Sequence, residues 1–190
     1  MLLAPESASR FINNYKTILL EVLRAMGQSP TNNVVHDLAR ARTHCSQRPE
    51  AIATAISVLQ DAGHALDTEV VRSLSTLQVG QWVYLRHTTR YAIFLDKTVK
   101  NAYAIKALTT PIHEVVGGQA AAFETGLVEF EGQFVCDGIV MGPVFLGAGY
   151  RAEFNAMYSD LRKSGHFFVN PSARDMARVA KVLTSKNRKR

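Results

Sequence analysis

Cysteine is scarce in this chain. Cys45 and Cys136 are its two thiols in 190 residues. Two isolated cysteines give no metal-ligand spacing, and a chain of this size does not need a disulfide staple. A reducing compartment, the cytoplasm, is the simplest expectation. Long apolar runs are missing as well. None reaches the roughly 18 residues that cross a bilayer, so no membrane partner is expected. The opening MLLAPESASRF has no basic stretch before an apolar segment, which predicts no secretory signal. Acid is nearly absent from the C-terminus. From Ser172 onward there are seven bases and one acid, Asp175, while the other 171 residues hold fifteen of each. The net charge of +6 is therefore a property of the last segment, and attraction to an anionic partner should be an effect of that segment.

What is present is enough for a core. Hydrophobic residues make up 47% of the chain and charged residues 20%, which argues against disorder. The first 77 residues read as helical. Phe11, Tyr15, Ile18, Leu19, Val22, Leu23 and Met26 recur at helical spacing, and Gly27 stops the pattern. Ser7 or Ser9 is the expected cap. A second segment runs from Asn32 to Thr43, with Val34, Val35 and Leu38 apolar. Pro49 opens a third helix carrying Ile52, Ile56 and Leu59, closed by Gly63. Asp67 is the expected cap of a fourth.

At Val79 the period changes to two. QWVYLRH (81–87), RYAIFLD (90–96), AYAIKAL (102–108), 123–130 and 133–140 read as five short strands. Thr109, Thr110 and Pro111 interrupt the third, and Glu131-Gly132 reads as a hairpin turn. The residues 141–149 read as an irregular crossing from sheet to helix. Tyr150 to Lys163 returns to helical spacing, and a last basic helix starts near Ser172. The expectation is an α+β protein in three parts: helices over 1–77, a small curved antiparallel sheet or barrel with one helix over 78–171, and a basic helix and tail over 172–190.

Candidate chemistry is sparse. In FEGQFVCDGIV, alternation puts Cys136 beside Phe134 on one strand face, where a thiol serves as a small apolar filler. Asp137 before Gly138 is the pattern of a carboxylate accepting backbone N–H bonds in a turn. An enzyme site there would need Asp137, the loop with Gly147 and Gly149, and a histidine to meet in one pocket. The glycines lack the context of a dinucleotide fingerprint. The six histidines are scattered, and His36 and His44 lack the further ligands that zinc needs. Neither a catalytic residue, a metal nor a cofactor is expected.

The same stretch, with WVYLRHTTRYAIFLD and AYAIKALTTPIHEVVG before it, resembles a loosely defined group of uncharacterised bacterial proteins. Their strand ends in a Tyr-Asp-Gly-Leu-like motif after a run such as LxPFxGxIxYDGL, and some carry a C-terminal SEC-C zinc motif. The likeness spans roughly 80–165, and the matching positions are Phe130, Gly132, Asp137, Gly138 and Ile139. Cys136 stands where the group often has tyrosine, and the zinc motif is missing here. The resemblance therefore implies a fold unit, with neither a metal nor an activity.

For function, a binding protein is favoured over an enzyme. Arg86 and Arg90, interleaved with Trp82, Tyr84 and Tyr91, form a candidate rim for RNA or DNA. Lys181, Lys186, Arg188, Lys189 and Arg190 form a candidate clamp on a nucleic-acid backbone. The alternatives are an adaptor that docks a protein through the N-terminal helices, and the enzyme centred on Asp137.

Overall fold

A computed structural model describes residues 2–176. It is an α+β fold in which helices flank a mixed seven-stranded sheet. Helix α1 (Pro5–Ala25) starts on proline at its first position, with Ala4 as the cap residue. Neither expected serine caps it; Ser7 instead donates to Glu131 across the molecule at 3.0 Å. Its apolar stripe, from Ala8 through Leu23, is buried. Helix α2 (Val34–Gln47) is capped by Asn33, which accepts from the His36 N–H at 3.1 Å. Its first two valines are exposed, and the buried face is Asp37, Ala39, Ala41, Arg42 and Cys45. Helix α3 (Glu50–Asp61) follows Pro49. Helix α4 (Thr68–Leu74) is capped by Asp67, which accepts from Val70 N–H at 3.0 Å.

The strands are β1 (Gln78–His87), β2 (Ala92–Asp96), β3 (Ala102–Lys106), β4 (Ala121–Phe130), β5 (Gln133–Cys136), β6 (Met141–Phe145) and β7 (Phe167–Phe168). Helix α5 (Ile112–Val115) lies between β3 and β4, and α6 (Ala148–Lys163) follows β6. The order β1-β2-β3-β5-β4 returns to β1 through a β1–β4 ladder, so five strands close into a barrel. The closing pair β3–β5 is parallel, with Ile105 opposite Phe134. β7 also joins β3 in parallel. The purely antiparallel expectation fails at those two seams. The fifth strand also ends at Cys136, earlier than expected. The stretch read as an irregular crossing contains β6, which pairs with β4. The expected Glu131-Gly132 turn is there: Phe130 pairs with Gln133, and both turn residues take positive φ, 49° and 68°.

Three apolar clusters follow from this layout. Trp82, Tyr84, Phe94, Ile105, Phe123 and Phe134 fill the barrel. The N-terminal helices pack on the outside of β4 and β5 through Val128, Phe130 and Val135. Helix α6 lays Phe154, Tyr158 and Leu161 over the outside of β1 and β2, against Val83, Leu85, Ile93 and Leu95. Residues 171–176 are helical, as the reading from Ser172 expects, and the rest of that segment lies outside the described residues. No helix among the described residues is long and apolar enough to cross a membrane.

Candidate functional site at the junction of bundle and barrel

Strand β5 stops because Gly138 turns the chain at φ 81°. The turn is held by Asp137. Its amide donates to the Gly126 carbonyl at 2.9 Å, and its Oδ1 accepts from the Ile139 N–H at 3.0 Å. The same oxygen accepts from Thr125 Oγ1 at 3.0 Å. Oδ2 accepts from the Tyr15 hydroxyl of α1 at 3.2 Å. Arg42 of α2 places Nη1 at 3.3 and 3.2 Å from the two carboxylate oxygens and donates from it to the Ile139 carbonyl at 2.6 Å. Its other terminal nitrogen donates to Glu124 of β4 at 3.0 Å. Neither the Arg42 nor the Asp137 side chain has any solvent exposure. The cluster thus ties α1 and α2 to the end of β5 and the middle of β4. A buried ion pair loses much of its attraction to desolvation, and its added hydrogen bonds are what make it tenable.

Burial works against the Arg42 charge, but Asp137, Tyr15 and Glu124 outweigh it and raise its pKa. Burial, and then the charge of Asp137, push the Tyr15 hydroxyl well above its ordinary range. The Cys136 thiol is pushed up to about 12 by burial and then by Asp137. Burial takes Cys45 to about 11, against a backbone hydrogen bond that lowers it. Cys136 is fully buried and sits 3.2 Å from Thr125 Oγ1. A neutral thiol of this kind is a poor nucleophile.

A cavity of about 270 Å³ opens over the turn, between α1, α2, α5 and the 136–140 segment. Asp137 and Cys136 are in its wall. No residue of 142–149 lines it, and neither does a histidine. Gly147 caps α6 and Gly149 lies in its first turn, each with open space beside it. The grouping that an enzyme site requires is therefore not assembled here. Both Asp137 oxygens are taken by donors that belong to the fold. Among the described residues no three His, Cys, Asp or Glu side chains are grouped to hold a metal ion.

The arginine rim is placed differently from its sequence pattern. A bulge in β1 between Tyr84 and Arg86 breaks the alternation. Trp82 and Tyr84 point into the barrel, whereas Arg86 pairs with outward-facing Ile93. Arg86 lies on α6: its guanidinium is 5.5 Å from the Tyr158 ring centroid and donates to Asn155 at 3.3 Å. Arg90 is exposed in the turn before β2. Trp82 and Tyr84 thus do not share a face with the arginines. The bulge also sends His87 back to the inner side, where it stacks on His113 of α5 at 4.0 Å between ring centroids. Lys181, Lys186, Arg188, Lys189 and Arg190 lie outside the described residues.

Sequence reasoning missed Tyr15, Arg42, Thr125 and Gly126 as partners of Asp137, and Glu124 as the second carboxylate partner of Arg42. For Arg42 there was a signal. Leu38, Arg42 and Cys45 fall at i, i+4 and i+7, on the apolar stripe of α2, so Arg42 is directed inward. Gly126 is required by the cluster: a Cβ there would collide with Asp137 Oδ2 and come within 2.9 Å of Leu77 Cδ1.

No protein-family model matches this chain, and neither the curated proteins nor the solved structures contain a match to it.

Proposed function

We propose that this protein binds RNA or DNA through its basic C-terminal segment, with the helix-flanked barrel as its carrier. The observation that carries the reading is where the charge lies. Residues 177–190 contain six bases and no acid, and the first 176 residues contain sixteen of each. A segment of that kind neutralises phosphates without reading sequence, which gives affinity that falls steeply with salt. The arrangement of the body supports the reading. Six of its eleven arginines lie within ion-pair distance of carboxylates, among them Arg42 with Asp137 and Glu124, Arg10 with Asp67 and Glu131, and Arg174 with Glu129 and Asp175. Arg90 adds an exposed cation, whereas Arg86 is engaged by Tyr158 and Asn155 of α6.

Some small five-stranded barrels bind oligonucleotides on one strand face. Here Phe154, Tyr158 and Leu161 of α6 cover the outside of β1 and β2. The reading therefore rests on the tail and not on the barrel face. A cytoplasmic setting suits two buried free thiols. The test is an electrophoretic mobility shift of a mixed-sequence single strand at low salt. The full chain should retard it. A variant with Lys186, Arg188, Lys189 and Arg190 all changed to glutamine should retard it far more weakly. Absence of any shift with the unaltered chain removes the reading.

A further inference from the structure

The cavity at the junction of bundle and barrel has features that the tail does not explain. Its walls are Ile12 of α1, Val35 of α2, Leu108, Ile112 and Val115 around α5, and Ile139 beyond the turn. Val35 and Val115 form exposed lips, at 55% and 47% exposure. Thr109 and Thr110 stand in the wall, both exposed, and neither hydroxyl has a hydrogen-bond partner in the protein. Asp137 is the one charged side chain in the lining, and its two oxygens already take bonds from Arg42, Tyr15, Thr125 and Ile139. The cavity is thus apolar inside, offers hydroxyls at its edge, and presents no unneutralised charge.

We infer that this cavity is a binding site for a small, uncharged, mostly apolar molecule carrying one hydrogen-bonding group. Each feature sets one property of the ligand. Apolar walls favour an apolar body, since apolar cavities take up apolar molecules in preference to water. The two free hydroxyls match one donor or acceptor on the ligand. A charged ligand would lose hydration against a wall whose own charge is already paired. At about 270 Å³ the cavity lies just below the roughly 300–1,000 Å³ of drug-sized ligand pockets, so its occupant has on the order of ten non-hydrogen atoms. The Cys136 thiol in its wall is fully buried and within hydrogen-bond distance of Thr125, and no covalent step is involved in the proposal.

The inference is independent of nucleic-acid binding and is tested separately. The full-length, isotope-labelled protein is titrated with benzyl alcohol and followed by amide NMR shifts. Benzoate and benzylamine serve as charged probes of the same size. Benzyl alcohol should give saturable shifts at residues 108–110, 112–115 and 138–140. The charged probes should bind at least about tenfold more weakly. The double change Thr109→Val and Thr110→Val should weaken benzyl alcohol about fivefold, the effect of removing one hydrogen bond. Val115→Trp, at the lip, should abolish the shifts. Val35→Trp on the opposite lip repeats that test if the first variant does not fold. Shifts that do not saturate overturn the inference. So does equal binding of benzoate, and so do shifts that survive a folded lip variant.

Discussion

Arg42 and Asp137 meet without solvent where β5 ends, and the cost of removing either one is asymmetric. Taking away Asp137 leaves a buried guanidinium with only Glu124 as a charged partner. Asp137→Ala should therefore lower the unfolding free energy by about 3–5 kcal/mol. Replacing both partners with leucine should cost much less than the sum of the single changes. Urea unfolding measures both; a loss below about 1 kcal/mol for Asp137→Ala would show the pair to be dispensable. Gly126→Ala tests the same packing from the backbone side. Its methyl would meet Asp137 Oδ2, so the variant should lose roughly 1–3 kcal/mol although the strand geometry permits alanine. A neutral result there would mean that the carboxylate moves freely. The buried thiols and phenols give a third expectation. Cys45, Cys136, Tyr15 and Tyr84 all ionise at higher pH in the fold than their ordinary values, because burial disfavours the charged form. The unfolded chain ionises first as pH rises. Stability should hold below the ordinary thiol value and fall as pH climbs from 9 towards 12. Urea midpoints that stay flat over that range would contradict this.

Among the elements, the sequence was most legible where one residue fixes one local geometry. Asp67 before α4 and Glu131-Gly132 between β4 and β5 are such places. Asp67→Ala should cost about 1 kcal/mol in thermal or urea unfolding, since it removes the cap of α4, and an unchanged midpoint would mean that another group caps it. Legibility was poor where partners are far apart in the chain. The parallel β3–β5 seam joins residues whose strands look alike whichever way they pair. The β1 bulge shifts Arg86 to the outer face, and no turn residue in WVYLRH marks it. The stretch 141–145 carries Gly142 and Pro143, which masked β6. For the candidate site, Asp137-Gly138 could be read as a turn. Tyr15, Glu124 and Thr125 could not be assigned to it, because they arrive from 122, 13 and 12 residues away.

Across the whole molecule, polar chemistry is drawn inward and net charge is pushed to one end. The helical bundle clasps the barrel through the Arg42–Asp137 cluster, and α6 covers the opposite wall. The α+β architecture followed from the change of hydrophobic period at Val79, and barrel closure supplied what the period could not. Function was less legible than fold, since a charge run states an attraction without naming the partner. The proposed function assigns the affinity for nucleic acid to residues beyond 176. The most direct measurement is the salt dependence of single-stranded oligonucleotide binding to the full chain, by fluorescence anisotropy. The account predicts that log K falls linearly with log salt. Changing Lys186, Arg188, Lys189 and Arg190 to glutamine should flatten the slope by about 0.7 for each phosphate no longer neutralised, and Arg90→Gln should change it by no more than one such step. A slope that is unaltered in the tail variant would contradict the account.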